Sequence, residues 1–200
     1  MKIAITGANS GIGKELTNSL DKFEIIPLTR DILDLSNIQD VIEFDMPDVD
    51  ILINMAGTDI GGKIIFDNHD PNNVVSILNT NLLSPVLLTQ KVLKQNSNCK
   101  IVNITSTNNK RYYPNNLTYS LTKKSLSDFN SMLQIEYPNI RTLEVRVGLT
   151  KTNFNKNRYK NDTERYQDIY QNKHLTAKYV AGQIIKILFD DNIKFIEISP

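Results

Sequence analysis

Residues 3 to 13 read Ile3-Ala4-Ile5-Thr6-Gly7-Ala8-Asn9-Ser10-Gly11-Ile12-Gly13, an apolar run that breaks into three closely spaced glycines. The whole chain has only 8 glycines in 200 residues, so this cluster marks a backbone that turns sharply or lets a ligand come close. A strand that ends in such a loop and continues as a helix gathers unpaired N–H groups at one point. That arrangement favours an anion, usually the pyrophosphate of a dinucleotide. The spacing is G-x-x-x-G-x-G, so an ordinary tight turn stays open as the alternative for this loop taken alone.

Length and composition predict one domain, residues 1–200, because the chain is long enough for one α/β core and too short for two. The net charge of +1 gives no field that would attract nucleic acid or a membrane surface. The single cysteine, Cys99, excludes an intramolecular disulfide and fits a reducing compartment. No apolar stretch is long enough for a transmembrane helix, and the run that ends at Ile5 is too short for a signal peptide. We therefore expect a soluble, cytoplasmic protein that binds neither nucleic acid nor membrane.

Short β-rich runs alternate with helical patterns along the chain. The runs predict strands at residues 2–6, 23–28, 49–53, 100–105, 140–146 and 194–199. The helical patterns lie at residues 12–20, 36–44, 71–94, 116–136 and 176–189. Ser36 and Gln39 have the spacing of a capping box, and Asp70 before Pro71 predicts an N-cap. This alternation predicts an α/β fold, a doubly wound Rossmann-type sandwich whose mainly parallel sheet has six or seven strands and carries helices on both faces.

The segment 149–173 differs from the rest because it is polar and has little apolar periodicity. A segment this long is either a functional lid or mobile, and we expect a substrate lid at about residues 149–175. Its cations either suit a phosphorylated or carrier-bound substrate or form a solvated surface; they are Lys151, Lys156, Arg158, Lys160, Arg165 and Lys173, with Lys110 and Arg111 nearby. Its aromatic residues either line a pocket or pack the lid; they are Phe154, Tyr159, Tyr166 and Tyr170.

Tyr119 and Lys123 lie four residues apart on a predicted helix, so both side chains leave the same face. An ammonium near a phenol favours the phenolate, so we expect Lys123 to lower the pKa of Tyr119 from about 10. A phenol with a lowered pKa can serve as a general acid or base. The alternative is an ordinary solvated helix face, since such a pair also arises by chance.

Ser106 directly follows the predicted strand 100–105, at the sheet edge where open α/β sheets bind ligands. Its hydroxyl could donate a hydrogen bond to a substrate carbonyl that gains negative charge. A helix cap or a serine turn is the alternative for this residue taken alone.

Pro85 lies inside the long predicted helix, four residues after Asn81. Because proline has no N–H and its ring crowds the carbonyl at i−4, the sequence predicts a bend and a free carbonyl at Asn81. A water bound there could pass protons between Lys123 and solvent.

Taken together, these motifs resemble the short-chain dehydrogenase/reductase family. The resemblance rests on Thr6-Gly7-x-x-x-Gly11-x-Gly13, Asn54-Met55-Ala56-Gly57, Asn81, Ser106 and Tyr119-x-x-x-Lys123, in that order, and covers residues 1 to about 152. It implies a catalytic set in which Tyr119 is the acid/base, Ser106 orients the substrate carbonyl, Lys123 binds the nicotinamide ribose and Asn81 holds a relay water. It also implies a cofactor-binding set of Gly7, Asn9, Ser10, Gly11, Ile12, Gly13, Arg30, Asp34, Leu35, Asn54, Ala56, Gly57, Tyr119, Lys123, Gly148 and Thr152. Nothing in the sequence indicates a metal site.

The chain departs from the family pattern at several points. Met55 replaces the second asparagine of N-N-A-G, and Val147 replaces the proline before Gly148. Only three residues separate Arg30 from Asp34, where classical members fit a helix and a strand, so we expect the third strand of the family sheet to be lost or vestigial. This shortening is similar to the sugar-nucleotide reductases of the same superfamily.

The residues after the second strand favour NADP(H) over NAD(H). Thr29 stands where an acidic residue would bind the ribose 2′-OH of NAD, and Arg30 suits a 2′-phosphate. Asp31 keeps NAD(H) as the alternative. The resemblance implies that Asp34 and Leu35 contact the adenine.

The leading hypothesis is an NADP(H)-dependent oxidoreductase that interconverts a carbonyl and a secondary alcohol. The alternatives are a nucleotide-sugar reductase or epimerase and a non-catalytic NADP(H)-sensing regulatory protein. The helix around residues 74–93 is apolar nearly all round, which indicates burial against a partner, and the family resemblance implies a homodimer or homotetramer built through this helix and the next.

Overall fold

The computed structural model describes residues 1–110, 113–160, 162–171 and 173–200 and contains a parallel sheet of six strands. The strands are β1 (Lys2–Thr6), β2 (Glu24–Leu28), β3 (Ile51–Asn54), β4 (Lys100–Ser106), β5 (Arg141–Val147), β6 (Thr150–Lys151), β7 (Leu175–Thr176) and β8 (Phe195–Ile198). The main sheet has the order β2-β1-β3-β4-β5-β8, and the two-residue strands β6 and β7 pair separately. The predicted doubly wound α/β fold is confirmed, with every main-sheet pairing parallel.

Eight α-helices lie in the described part of the chain. They are α1 (Gly11–Ser19), α2 (Ile38–Glu43), α3 (Pro71–Leu78), α4 (Ser84–Gln95), α5 (Leu117–Glu136), α6 (Asn153–Arg158), α7 (Thr163–Asp168) and α8 (Ala177–Ile187). Short 3-10 turns occur at Phe66–Asn68 and Thr107–Asn109. None of the helices in the described ranges has the length and apolar character needed to cross a bilayer.

Alternate residues of the central strands enter two separate cores. Ile3 and Ile5 of β1 pack into the core formed with α1 and α8, whereas Ala4 packs into the core formed with α2, α4 and α5. Because both faces are covered, the central strands are apolar on both sides and read as continuous apolar runs. All four residues of β3 are buried.

The sheet ends at β2, which pairs only with β1. Between β2 and β3 the chain forms the helix α2 and no strand, so the expected loss of the family's third strand is what the structure has. Pro27 lies within β2, and an edge strand tolerates a residue that cannot donate to a neighbouring strand.

The capping box predicted at Ser36 is wrong. Helix α2 begins at Ile38, and its N-cap is Asn37, whose Oδ1 accepts from the Gln39 N–H at 3.2 Å. The Ser36 hydroxyl instead donates to Asp34 Oδ1 at 2.7 Å. Asp34 engages the serine in a local turn, which leaves the cap to the next residue.

The long helix predicted at 71–94 is interrupted as Pro85 requires. Asp70 caps it as predicted and accepts from the Asn72 N–H at 2.9 Å. A π-helical turn at Asn79–Leu83 then joins α3 to α4, and the Ser84 N–H bonds to the carbonyl of Asn79, five residues back. Because Pro85 cannot supply the usual i→i−4 bond, the ladder changes register just before it.

The segment after β5 is more regular than its sequence predicts. It contains α6, α7 and the parallel pair β6–β7. Thr152 caps α6 and Asp162 caps α7 through their side-chain oxygens. These helices are short and polar, so their apolar periodicity is too brief to detect in the sequence.

Candidate active site

A cleft of about 1020 Å³ opens along the carboxyl edge of the sheet, where the loops after β1, β3, β4 and β5 meet. Most of the predicted site residues line it: Gly7, Asn9, Ser10, Gly11, Ile12, Gly13, Arg30, Asp34, Leu35, Ala56, Gly57, Ser106, Tyr119, Lys123, Gly148 and Thr152. The other two, Asn54 and Asn81, are buried behind its walls. A cleft at this edge is where a doubly wound sheet binds its ligand.

The glycine loop has the form of an anion site. Gly7 has φ +67°, which favours glycine, and a Cβ on Gly13 would lie 2.3 Å from the carbonyl oxygen of Gly7. The N-cap of α1 is Ser10, whose side chain makes no cap hydrogen bond. The N–H groups in the first turn of α1 therefore have no hydrogen bond from the Ser10 side chain, and they lie beside the cleft. These features fit the pyrophosphate of a dinucleotide.

Thr6 fixes the glycine loop against the loop that follows β3. Its Oγ1 accepts from the N–H groups of Met55 and Ala56, at 3.0 and 2.9 Å. Asn54 was predicted to shape the cofactor side of the cleft, but its side chain faces the interior, where Nδ2 donates to Asn103 Oδ1 at 2.9 Å. Asn54 thus supports the wall from behind, and the backbone at Ala56 and Gly57 forms the surface.

The residues after β2 differ in their access to the cleft. Arg30 lines the cleft, with its Nε 3.8 Å from Asp34 Oδ1, whereas Asp31 is not among the described residues that line it. A hydrogen bond from Thr29 is the main cause that lowers the pKa of Asp31. Of Arg30 and Asp31, only the arginine therefore lines this end of the cleft, beside the carboxylate of Asp34.

Ser106, Tyr119 and Lys123 meet at the other end of the cleft. Ser106 ends β4, and Tyr119 and Lys123 lie one turn apart on α5. Tyr119 shares a hydrogen bond with Ser106, and Lys123 Nζ donates to the carbonyl of Ile104 at 2.9 Å. Ser106 also caps the turn at Thr107–Asn109, since its Oγ accepts from the Asn108 N–H at 3.2 Å. The hydroxyl therefore combines the capping role considered as an alternative with a place beside the phenol.

The prediction that Lys123 lowers the pKa of Tyr119 is wrong for this structure. Burial raises the pKa of Tyr119, and the two influences that oppose it are the positive charge of Arg158 and the hydrogen bond with Ser106. Burial also lowers the pKa of Lys123 to about 8. The sequence pattern places the lysine correctly on the helix face, but desolvation has the largest effect on the pKa of both groups, and Lys123 is not among the charges that act on the phenol.

Asn81 acts through its side chain on the loop after β3. Its Oδ1 accepts from the Thr58 N–H at 2.8 Å, and its Nδ2 donates to the Thr58 carbonyl at 2.8 Å and to Thr122. A Cβ on Gly57 would lie 3.6 Å from Asn81 Oδ1 and 3.5 Å from Lys123 Nζ. Asn81 therefore braces the loop next to Lys123, a role that the sequence argument did not predict.

Helix α6 covers Tyr119. The ring of Phe154 lies 5.5 Å from that of Tyr119, and the guanidinium of Arg158 lies 4.9 Å from the Tyr119 ring centroid. Arg158 is only 9% exposed and pairs with Asp59, Nε to Oδ2 at 2.5 Å. Sequence reasoning treated Arg158 as one of several lid cations and missed Asp59. The i, i+4 spacing of Phe154 and Arg158 was the one available signal, since it places both on one helix face.

The remaining lid residues divide between the cleft and the surface. Lys156 and Tyr159 also line the cleft, whereas Tyr166 packs edge-on against Tyr170. Lys160 and Lys173 are exposed, and Arg111 lies outside the described residues.

Comparison with known proteins gives a consistent result. A family model described as short chain dehydrogenase matches residues 18–163. An NADP-dependent 3-hydroxy acid dehydrogenase from Schizosaccharomyces pombe is 32% identical over 221 residues, covering 92% of this chain and 85% of that protein.

Solved structures share the fold at lower identity. A closed form of serine dehydrogenase complexed with NADP+ has a TM-score of 0.83 at 22% identity and covers 99% of this chain and 94% of that chain. A small-chain dehydrogenase in complex with NADPH has a TM-score of 0.85 at 18% identity, covering 100% and 96%. A 4-hydroxyisoleucine dehydrogenase complexed with NADH has a TM-score of 0.81 at 21% identity, covering 99% and 96%. The expectation of NADP(H), with NAD(H) as the alternative, agrees with what these relatives bind.

Gly13→Ala should abolish dinucleotide binding. The added methyl group would lie 2.3 Å from the Gly7 carbonyl oxygen, so the loop must shift, at a cost of about 1–3 kcal/mol of stability. Calorimetric titration with NADPH and thermal unfolding measure the two effects. Gly182→Ala is the matched control, because its Cβ meets nothing within 4 Å. Equal NADPH affinity in both variants would contradict the assignment of the loop.

Lys123 should make the free energy of unfolding of the protein change with pH in the alkaline range. Its folded pKa of about 8 lies below its unfolded value of 10.5, so the unfolded state binds more protons between these values. The free energy of unfolding should therefore rise with pH through this window in the wild type, relative to Lys123→Met. Urea unfolding at several pH values between 7 and 10 measures the difference. If the free energy of unfolding changed with pH in the same way in both proteins, the lowered pKa of Lys123 would be refuted.

Proposed function

We propose a specific activity for this chain, which belongs to the short-chain dehydrogenase family. The protein acts as an NADP(H)-dependent oxidoreductase that interconverts a carbonyl and a secondary alcohol, with Tyr119 as the acid/base. One observation carries the proposal: Ser106, Tyr119 and Lys123 line the same cleft as the glycine loop and Arg30. Proton chemistry and dinucleotide binding can therefore take place on one bound pair of reactants.

The cofactor-binding residues follow the length of the cleft. The glycine loop and the N-terminus of α1 would hold the pyrophosphate, and Arg30 the 2′-phosphate of NADP(H). Asp34 and Leu35 would contact the adenine, Lys123 the nicotinamide ribose, and Gly148 and Thr152 the nicotinamide side. When bound, the cofactor supplies or accepts the hydride. Thr152 also lies next to the glycine loop, since its Cγ2 would lie 3.2 Å from a Cβ on Gly11.

Tyr119 and Ser106 would manage the charge on the substrate oxygen. In reduction, the substrate oxygen would take a proton from the Tyr119 hydroxyl while Ser106 donates a hydrogen bond to that oxygen. In oxidation, the Tyr119 phenolate takes the alcohol proton back. Burial raises the pKa of Tyr119, so the phenol stays protonated at neutral pH, which suits reduction. The guanidinium of Arg158 over the ring would stabilise the phenolate that remains.

Tyr119 must regain its proton after each reduction, and the predicted relay through Asn81 is part of this proposal. Lys123 Nζ and Asn81 Oδ1 both lie next to Gly57, so a chain of groups leads from the phenol side of the cleft toward the π-helical turn. A water bound near Asn81 would complete the relay.

The substrate class follows from the relative rather than from the fold. The S. pombe relative is named for 3-hydroxy acids, so we place hydroxy acids and the matching oxo acids first. The nucleotide-sugar and sensor alternatives are tested by the same assays.

Assembly and compartment complete the proposal. Helix α5 presents Leu121, Met132 and Ile135 to solvent, the last 80% exposed. Such an apolar stripe favours a homodimer or homotetramer. We place the protein in the cytoplasm, where its buried free Cys99 stays reduced. Sedimentation velocity measures the assembly.

Tyr119→Phe tests the activity. The variant keeps the ring between Phe154 and Arg158 but loses the proton, so turnover should fall by about 100-fold or more. NADPH affinity, measured by calorimetric titration, should stay unchanged. The assay follows NADPH consumption at saturating levels of oxo acids, ketones and keto sugars. A wild type that binds NADPH but reduces none of them would favour the sensor, and full activity in Tyr119→Phe would remove Tyr119 from the chemistry.

Arg30→Gln tests the cofactor preference. Removing the cation that faces the 2′-phosphate should weaken NADPH binding by about tenfold and leave NADH binding unchanged. Fluorescence titration with both dinucleotides measures the ratio, and Lys22→Gln, an exposed cation that is not among the lining residues, is the control. Equal weakening of both cofactors would show that Arg30 does not read the phosphate.

A further inference from the structure

We propose that Arg158 binds the carboxylate of an acidic substrate beside Tyr119, and that Asp59 holds the guanidinium in place for this contact. This inference rests on the proposed function and deepens it, because it assigns the residue that distinguishes an acid from a neutral ketone.

Arg158 borders the reacting end of the cleft. Its guanidinium carbon lies 4.9 Å from the ring centroid of Tyr119 and 4.8 Å from that of Phe154. The side chain is 9% exposed, yet it lines the cleft together with Tyr119. A small molecule whose oxygen reaches the phenol would therefore contact the guanidinium with a group one or two bonds from the reacting carbon, which is where a 2- or 3-hydroxy acid carries its carboxylate.

The protein leaves part of the guanidinium's hydrogen-bonding capacity unused. Arginine has five N–H donors. Asp59 Oδ2 forms an ion pair with Nε at 2.5 Å, and Asn155 Oδ1 accepts from Nη1 at 3.2 Å. These contacts among the described residues do not use all five donors of the guanidinium. A carboxylate accepts two parallel bonds from a guanidinium, and it does so with stronger bonds than a neutral carbonyl.

The charges around Arg158 also favour an anion. Arg158 and Lys63 both line the cleft beside the carboxylate of Asp59, and the charge of each acts on it. Burial is the main cause that lowers the pKa of Lys63, and the positive charges of Arg158 and Arg165 add to it, whereas Asp59 opposes it. Burial likewise raises the pKa of Asp59 despite its cationic neighbours. The cluster thus holds more positive than negative charge in a poorly solvated place, and an incoming carboxylate would balance it.

A purely structural role for Arg158 predicts a different outcome. If the Asp59 pair only braces α6 over the cleft, its loss would loosen the lid and affect every substrate alike. A carboxylate-binding role affects only substrates that carry the charge. The ratio of activities on an acid and its ester therefore separates the two roles.

The test compares acetoacetate with methyl acetoacetate, which keeps the same ketone. The variant Asp59→Asn/Arg158→Gln removes both buried charges together, so no lone buried ion destabilises the fold. The ratio of its kcat/KM on acetoacetate to that on the ester should fall by about 10- to 100-fold relative to the wild type, whereas the loss of the Arg158 charge over Tyr119 lowers both values alike. Lys160→Gln is the matched control, because Lys160 is an exposed cation of the same segment and should leave both values unchanged. Thermal unfolding and NADPH titration verify that each variant is folded.

If kcat/KM fell equally for the acid and the ester, the inference would be overturned, and Arg158 would have only the structural role of holding α6 over the cleft. If the wild type reduces neither compound, the proposed activity fails for this pair, and binding decides the inference instead. Calorimetric titration of malonate into the protein saturated with NADP+ measures it. Binding in the wild type that is lost in the double variant supports the carboxylate site, and malonate binding that is absent or unchanged in the double variant overturns it.

Discussion

The register of the parallel sheet is the constraint on which the site depends. Ile5 of β1 lies opposite Ile53 of β3, Asn54 of β3 opposite Asn103 of β4, and Ser106 of β4 opposite Val147 of β5. This alignment ends the strands at one edge, so loops that are distant in sequence meet around a single cleft. A strand that slipped by one residue would turn its buried side chains to the opposite face. The two apolar cores therefore hold the site in place as well as the fold.

Near Tyr119 the cleft holds charged groups that are poorly exposed to water. Lys123 is 4% exposed and Asp59 5% exposed. Burial lowers the pKa of Lys123 and raises the pKa of Asp59, so it favours the neutral form of each group. Removing ions from water costs several kcal/mol each unless partners compensate. The apolar cores on both faces of the sheet offset this cost. Shifted pKa values of this kind are common at functional sites, and both groups lie at the end of the cleft that Ser106 and Tyr119 occupy.

Two local features lie at the same end of the cleft. The π-helical turn before Pro85 places Asn81 where its amide bonds the backbone of Thr58. Helix α6 begins at the Thr152 cap, next to Gly11, and carries Phe154 and Arg158 over Tyr119. Of the two, only the π-helical turn departs from regular helical geometry, as is common near sites that need a special geometry.

Local patterns in the sequence were sufficient for the strands, most helices, the glycine loop, the Pro85 interruption and the Tyr119–Lys123 face, because each depends on neighbouring residues. They failed where local signals compete, as at Ser36 and Asn37, where Asp34 engages the serine. They also failed for burial, which depends on the whole fold: proximity predicted a lowered pKa for Tyr119, and desolvation raises it. The pairing of Asp59 with Arg158 joins residues far apart in the chain, so no spacing rule could predict it. Only the packing of α6 onto the sheet edge decides which cation lies over the phenol.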